Sequence, residues 1–287
     1  MTWNGPTMIR FLLASTMILA CVTEGSAQVF DIVIDNGRVI DPETGLAAIR
    51  NVAVDGDRIV TISEFPLQGK TRIDATGKVI SAGFIDLHTH GQSLPDHRMQ
   101  AMQGLTTLLE LESGVLPIDD WYDDQATRHL LLNYGASAAW TFGRIAAFFG
   151  GQPEATAASF QDAQGRDDWK VEIAGKERLQ RILTLLEEGL KQGTIGIGVN
   201  AGYAPGYGQK EYFELAKLAR KYNVATFTHV RYASNLEPRG SLEAIKELIA
   251  NAALTGTHMP ICHINSASLL DIEATLDLYE RARRIGC

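Results

Sequence analysis

The sequence predicts an α/β protein: a small N-terminal β unit followed by an incomplete (β/α)8, TIM-like barrel of six β/α units. Three observations predict it. From Gly83 onward, short apolar, β-rich runs alternate with helical patterns, which implies a parallel sheet covered by helices, most economically a barrel. Several of those runs end in histidine. Before Gly83, short alternating runs are separated by Asn36-Gly37 and Asp55-Gly56, dipeptides that mark hairpin turns.

Taken in order, residues 1–27 differ from the rest. Arg10 precedes an apolar stretch from Phe11 to Val22, and Gly25-Ser26-Ala27 supplies the small residues a signal peptidase reads. The stretch is short for a bilayer span, which needs ~20 apolar residues. It reads as a signal peptide cleaved after Ala27, giving a periplasmic or secreted protein. Ile18-Leu19-Ala20-Cys21 also loosely resembles a lipoprotein processing site, which would leave Cys21 as a lipid-bearing N-terminus. A buried N-terminal helix is the alternative. With Cys21 gone, Cys262 and Cys287 do not make a disulfide framework.

Residues 28–82 read as the small β domain, with strand signals at Phe30–Ile34, Arg38–Ile40, Asn51–Val54 and Arg58–Ile62. Residues 83–287 read as the partial barrel, with strands expected at 83–90, 104–112, 134–142, 193–200, 224–230 and 259–264. A helix is expected over Lys176–Gln192, where Leu179, Ile182, Leu183, Leu186 and Leu190 form one apolar stripe closed by Gly193. Others are expected over Gln209–Tyr222, from a Ser241 cap to about Ala253, and from about Leu269 to Ile285. A complete barrel needs eight strands, and the chain stops where a seventh is expected. An open sheet complete with six strands is the competing architecture.

Composition narrows the chemistry. With 287 residues and 45% hydrophobic content the chain has material for a sizeable core, and a formal charge of −8 leaves no basic stripe for nucleic acid. A small-molecule partner fits better. His88 and His90, spaced i, i+2, point to one side at the C-terminal end of a strand, where barrel enzymes do chemistry. His229 ends the run Val224-Ala-Thr-Phe-Thr-His229, and His263 ends Met259-Pro-Ile-Cys-His263. Four imidazoles at strand ends are a zinc-binding pattern. Cys262, one residue before His263, should face the outer helices. Glu110 and Glu112 lie within an apolar strand, where an unpaired carboxylate is costly.

Other features carry less. Arg231, two residues past His229, would sit at the mouth of the site, to bind a substrate carboxylate or to pair with an acid such as Glu110. Tyr203 is a candidate substrate contact, and Phe148–Trp169 is a flap or a surface insertion. The acidic cluster Asp119, Asp120, Asp123 and Asp124 reads as a solvated helix face. His97, His129 and His258 lie off the strand ends. The glycines of Gly196-Ile-Gly198 fit a dinucleotide turn poorly, because Gly202, Pro205, Gly206 and Gly208 follow where a helix should open.

The stretch Ile34-Asp-Asn-Gly-Arg-Val-Ile-Asp-Pro42, the run Gly83-Phe-Ile-Asp-Leu-His-Thr-His90 and the histidines ending two later strands resemble the amidohydrolase superfamily. Within it, Gly104-Leu-Thr-Thr, Gly193-Thr-Ile-Gly-Ile-Gly with Tyr203-Ala-Pro-Gly, and Thr228-His229-Val-Arg231 look most like the D-aminoacylases, which are N-acyl-D-amino-acid deacylases. The resemblance covers residues 29–287. It implies one or two Zn2+ ions, held by His88 and His90 from the first strand and by His229 and His263 from the fifth and sixth. D-aminoacylases carry a bridging cysteine in an Asn-Cys-Gly stretch, whereas this chain reads Glu110-Leu-Glu112-Ser-Gly. A carboxylate takes the bridging place, with Glu112, nearer the strand end, favoured over Glu110.

The implied reaction is zinc-dependent hydrolysis of the amide bond of N-acyl-D-amino acids, N-acyl-D-glutamate included, releasing a D-amino acid and a carboxylate. The family's general base is an aspartate ending strand eight, beyond Cys287, so no catalytic residue is assigned here. One alternative is a cyclic-amide hydrolase of the hydantoinase or dihydroorotase kind, whose metals are usually bridged by a modified lysine on strand four; Gly193–Asn200 has none. Another is a catalytically dead metal-binding remnant.

Overall fold

The structure, a computed structural model, describes residues 28–286, so the signal peptide, Cys21 and Cys287 lie outside the described residues. The chain divides into two compact units between Ala82 and Gly83.

The first unit is one sheet of β1 (Val29–Asp41), β2 (Leu46–Asp55), β3 (Arg58–Ser63), β4 (Gln68–Asp74) and β5 (Val79–Ser81). Its order is β3-β2-β1-β4, with β5 also on β1. Asp55-Gly56 makes the β2–β3 hairpin turn, with Gly56 at φ 59°. Asn36-Gly37 does not turn the chain. It lies inside β1, where the register with β2 shifts between Ile34 and Gly37, and Asn36 takes a φ of 59°. Left-handed Asn is as fit for a bulge as for a turn, and here the backbone amide of Asn36 donates to Asn51 Oδ1 at 3.0 Å. The turn expected there falls at Gly45, φ 75°. Phe30, Val33 and Ala53 form the core of this unit.

The second unit is a curled parallel sheet with helices outside it. Its strands are β6 (Phe84–Asp86), β7 (Leu105–Val115), β8 (Asn133–Ala139), β9 (Gly196–Asn200) and β10 (Ala225–His229), paired in chain order. His258–Cys262 extends the sheet: Thr226 and Thr228 donate to the carbonyls of His258 and Pro260 at 3.0 and 3.1 Å, and Cys262 donates to Thr228 at 2.9 Å. The expected sixth strand is cut short because Pro260 has no N–H and His263 turns left-handed, φ 85°. Each crossover carries helix: α1 (Leu94–Ala101), α2 (Ile118–Thr127), α3 (Trp140–Phe149), α4 (Ala157–Gln164), α5 (Asp168–Val171), α6 (Lys176–Lys191), α7 (Gln209–Lys221) and α8 (Ser241–Thr255), then α9 (Ile264–Ser268) and α10 (Ile272–Arg284). Among the described residues no helix is long and apolar enough to cross a membrane.

Several boundaries differ from the sequence expectation. The strand expected over 134–142 ends at Ala139, and Trp140 starts a helix. Gly240, not Ser241, caps α8, which ends at Thr255 because Gly256 adopts the left-handed C-terminal conformation, φ 68°. The last helix, expected from about Leu269 to Ile285, opens with a 3-10 turn over Leu269–Asp271 and is α-helical from Ile272 to Arg284, with Leu269, φ 49°, separating it from α9. The stripe on α6 packs largely as expected: Ile182, Leu186 and Leu190 are buried in the core with side chains of α3, β8 and α7, Leu179 is buried as well, and Leu183 is half-buried against them. Burying each such side chain contributes roughly 1.5–3 kcal/mol.

Candidate metal centre

The site begins with a distortion of β7. Its register with β8 shifts between Glu110 and Val115, and Gly114 takes a φ of 66°. This bulge drives the backbone toward β9, where a Cβ on Gly198 would lie 2.5 Å from the Glu112 carbonyl oxygen and 2.6 Å from that of Leu111. Only glycine fits there. Gly196–Asn200 is thus a buried strand that accommodates a bulged neighbour, which accounts for its glycines without a dinucleotide.

Four imidazoles surround the side chain of Glu112, itself 3% exposed. Oε2 lies 2.9 Å from His88 Nε2 and 3.2 Å from His90 Nε2. Oε1 lies 2.8 Å from His229 Nδ1 and 2.9 Å from His263 Nε2. Each oxygen thereby faces one histidine pair. His229 Nδ1 and His263 Nε2 are also 2.9 Å apart, and two ring nitrogens that close cannot both carry a proton. Ligand atoms about a tetrahedral zinc stand ~3.3 Å apart at Zn–N distances of ~2.0 Å. The set fits a cation with small outward shifts. His88, Glu112 and His263 alone already present one ligand atom each within 4.8 Å of one another.

The electrostatics follow from the same contacts. Burial pushes the Glu112 carboxyl up, but hydrogen bonds from His229 and His90 and the charge of His88 outweigh it and hold the group well below the carboxylate range. His90 is pushed up to about 10, first by its hydrogen bond to Glu110 and then by that to Glu112. Glu110 meets the far side of the ring: His90 Nδ1 lies 3.0 and 3.1 Å from its oxygens. A carboxylate only accepts, so Nδ1 carries the proton and Nε2 is turned to Glu112. Glu110 therefore touches an imidazole that reaches Glu112, and the bulge accounts for the different positions of two acids only two residues apart.

The cluster opens on a cavity of about 470 Å³. Trp121, Phe142, Phe160 and Tyr203 line one wall; Phe160 lies 5.6 Å from Tyr203 and 6.1 Å from Phe142, ring to ring, and Tyr203 lies 5.3 Å from His229. Phe160 comes from α4, so the 148–169 segment does border the cavity. The Thr141 hydroxyl and the Gln92 amide, also at this cavity, are buried without a partner. Phe142, Phe160, Thr141 and Gln92 escaped sequence reasoning, since nothing in their local pattern distinguishes them from core; Asn200, a polar residue ending a glycine-rich strand, did carry a signal.

Arg231 lies elsewhere. It donates to both oxygens of Glu247 on α8, at 3.0 and 2.6 Å, and to the carbonyls of Pro205 and Tyr207 at 3.1 and 2.9 Å. Its acidic partner is Glu247 and not Glu110: β10 ends at His229, so the two-residue alternation does not extend to Arg231. Cys262 also departs from expectation. Ile261 pairs with Thr228, whose hydroxyl meets Tyr212 of α7 at 2.5 Å, so Ile261 faces the helices and Cys262 the interior. Burial and the charges of Glu112 and Glu110 push its thiol up to about 12. The left-handed His263 then breaks the alternation and turns its ring inward too. Asp119, Asp120, Asp123 and Asp124 are exposed on α2.

Comparison with known proteins adds the family. The amidohydrolase family profile matches residues 71–271. An N-acyl-D-glutamate deacylase from Alcaligenes xylosoxydans xylosoxydans is 27% identical over 276 residues, 89% of this chain and 55% of its own length. A D-aminoacylase from the same organism is 27% identical over 226 residues, 73% of this chain and 46% of its own. The crystal structure of an N-acyl-D-glutamate deacylase from Bordetella bronchiseptica, complexed with zinc and a phosphonate inhibitor, shares the fold with a TM-score of 0.71 at 22% identity, over 90% of this chain and 57% of that one. The chain spans about half the length of the relatives it matches.

Proposed function

The chain belongs to the amidohydrolase family, and from that premise we propose that it serves a zinc-dependent hydrolase cleaving the amide bond of N-acyl-D-amino acids to a carboxylate and a D-amino acid. One observation carries the reading: a single buried carboxylate shared between two pairs of imidazoles. His88 and His90 would hold one ion beside Glu112 Oε2, and His229 and His263 a second beside Oε1, with Glu112 bridging. Zinc, when bound, supplies Lewis acidity for the acyl carbonyl and lowers the pKa of water.

The remaining work falls to the protein. Glu110 holds the His90 proton on Nδ1, leaving Nε2 for the ion. Thr141 and Gln92 border the cavity, and their buried, unpartnered polar atoms would be satisfied by substrate amide or carboxylate groups once a side-chain rotation turned them inward. The aromatic wall excludes water and receives an apolar group. The acids lining the cavity are Glu110 and Glu112, both engaged with imidazoles, so no proton-transfer residue is assigned to this chain.

The wall also bears on the substrate. Arg231 is committed to Glu247 and, among the described residues, no Lys or Arg lines the cavity, so a γ-carboxylate would meet only neutral donors such as the Tyr203 hydroxyl, and we favour a neutral D side chain over D-glutamate. The test is to measure zinc content, then hydrolysis of N-acetyl-D-methionine, N-acetyl-D-glutamate and a hydantoin. Zinc with cleavage of the methionine derivative is expected. Absence of zinc in folded protein sinks the reading; zinc without cleavage leaves the dead metal-binding protein, and cleavage of the hydantoin the cyclic-amide alternative. Export is proposed on the leader, and N-terminal sequencing of the mature protein checks it.

A further inference from the structure

Arg231 has no place in that reading, yet it is tied from several sides. Besides the four hydrogen bonds already described, its guanidinium carbon lies 3.5 Å over the Tyr207 ring, and the Tyr207 hydroxyl donates to Glu247 at 3.1 Å. Both charged side chains are nearly dry, at 10% and 13% exposure. A two-pronged pair in that setting is geometrically strict. It joins the end of β10 to α8, and it clasps residues 205–207 of the loop after β9 between them.

That loop touches His229. A Cβ on Gly202 would lie 2.8 Å from His229 Cδ2, 2.9 Å from its Nε2 and 3.0 Å from the Val230 carbonyl oxygen. The Nε2 edge of the ring is therefore backed by the Gly202 main chain, and Nδ1 is what His229 presents to Glu112 and His263. His88, His90 and His263 all present Nε2 to Glu112 instead. An imidazole that must offer its inner nitrogen needs its ring fixed from behind.

We propose that Arg231 is a positioning residue: by clasping the 201–207 loop to α8 it holds Gly202 against His229, so that His229 offers Nδ1 to the metal. The inference rests on the metal-site reading above. Removing a group that orients a ligand typically costs 10–100-fold in metal affinity.

The experiment is zinc titration by calorimetry of the wild type, Arg231→Met, which keeps the apolar stem, Arg231→Lys and Glu247→Gln, each also in a His90→Asn and a His263→Asn background. Expected is a loss of about 10–100-fold in the His90→Asn background, where His229 and His263 remain, with little change in the His263→Asn background. Lysine, lacking the fork, should not restore it. Should Arg231→Met fail to fold, Glu247→Gln breaks the same tie more gently and must show the same selective loss. Equal losses in both backgrounds, or none, overturn the inference while leaving the metal site standing. A wild type that binds no zinc overturns both.

Discussion

Glu112 and Glu211 are both almost completely buried, at 3% and 2% exposure, and the second unit surrounds them differently. Glu211, on α7, accepts from Trp140 Nε1 at 2.8 Å through one oxygen and from the Arg144 guanidinium through the other. Arg144 gives its other donors to the carbonyls of Trp169, at 2.6 Å, and Glu172. A permanent cation meets a carboxylate, and the set is closed. Glu112 instead has four titratable rings, two of them nitrogen to nitrogen, while His263 Nδ1 is buried without a partner. Burial of charge is common to both. What marks a site is converging donors that protons alone do not satisfy, beside a cavity.

The largest effect should come from breaking the closed cluster. Glu211→Ala leaves Arg144 buried and unpaired, and loss of about 3–5 kcal/mol in urea unfolding is expected. Zinc affinity of the folded variant should stay within a factor of two or so of wild type, since no Glu211 contact reaches the imidazoles. A large drop in zinc affinity at full stability would erase the distinction between the clusters.

Next come the two acids of β7. Glu112→Gln removes the charge both histidine pairs share, and zinc binding should fall below detection in equilibrium dialysis. Glu110→Gln keeps an acceptor for His90 Nδ1 and loses only charge, so a weakening near the lower end of ~10–100-fold is expected. The reverse ranking would make Glu110 the bridge.

The histidines were legible from their recurrence at or near strand ends, and the structure brings all four together, although the strand expected over 83–90 stops at Asp86 and leaves His88 and His90 in the irregular segment after it, held beside β7 by the Thr89 amide on the Leu109 carbonyl at 3.3 Å. The division of labour between Glu110 and Glu112 was not, because it depends on a bulge whose room is made by Gly198, more than eighty residues away in sequence. Arg231 misled for a related reason: alternation is a property of strands, and β10 ends at His229. Glu211 gave no warning at all. In sequence it is a first-turn acid of an amphipathic helix, a normal solvated position, and its partner Arg144 lies 67 residues away in a helix that starts directly from a strand without a side-chain cap. Asn36-Gly37 shows the remaining ambiguity, since one left-handed residue serves a turn or a bulge equally well.

The smallest effect, and the one that reports on the open cluster alone, is the pH dependence of stability after zinc is removed with a chelator. His90 is raised from 6.5 to about 10, first by Glu110 and then by Glu112. A raised folded value means that its contribution is complete below pH 6.5 and is lost as pH rises through about 10. Glu112 is held below its ordinary 4.5, since the hydrogen bonds of His229 and His90 outweigh burial, so its contribution is present above that value and is lost as pH falls through the lowered one. The chelated protein should therefore be most stable between about pH 4.5 and 6.5, with Tm declining toward pH 10. His90→Asn should flatten that decline. Zinc should reverse its sense, because the ion competes with the His90 proton for Nε2 and binds better as protons leave. A chelated protein with a flat Tm from pH 6.5 to 10, or a decline that survives His90→Asn, would show that protons do not stand in for a cation around Glu112.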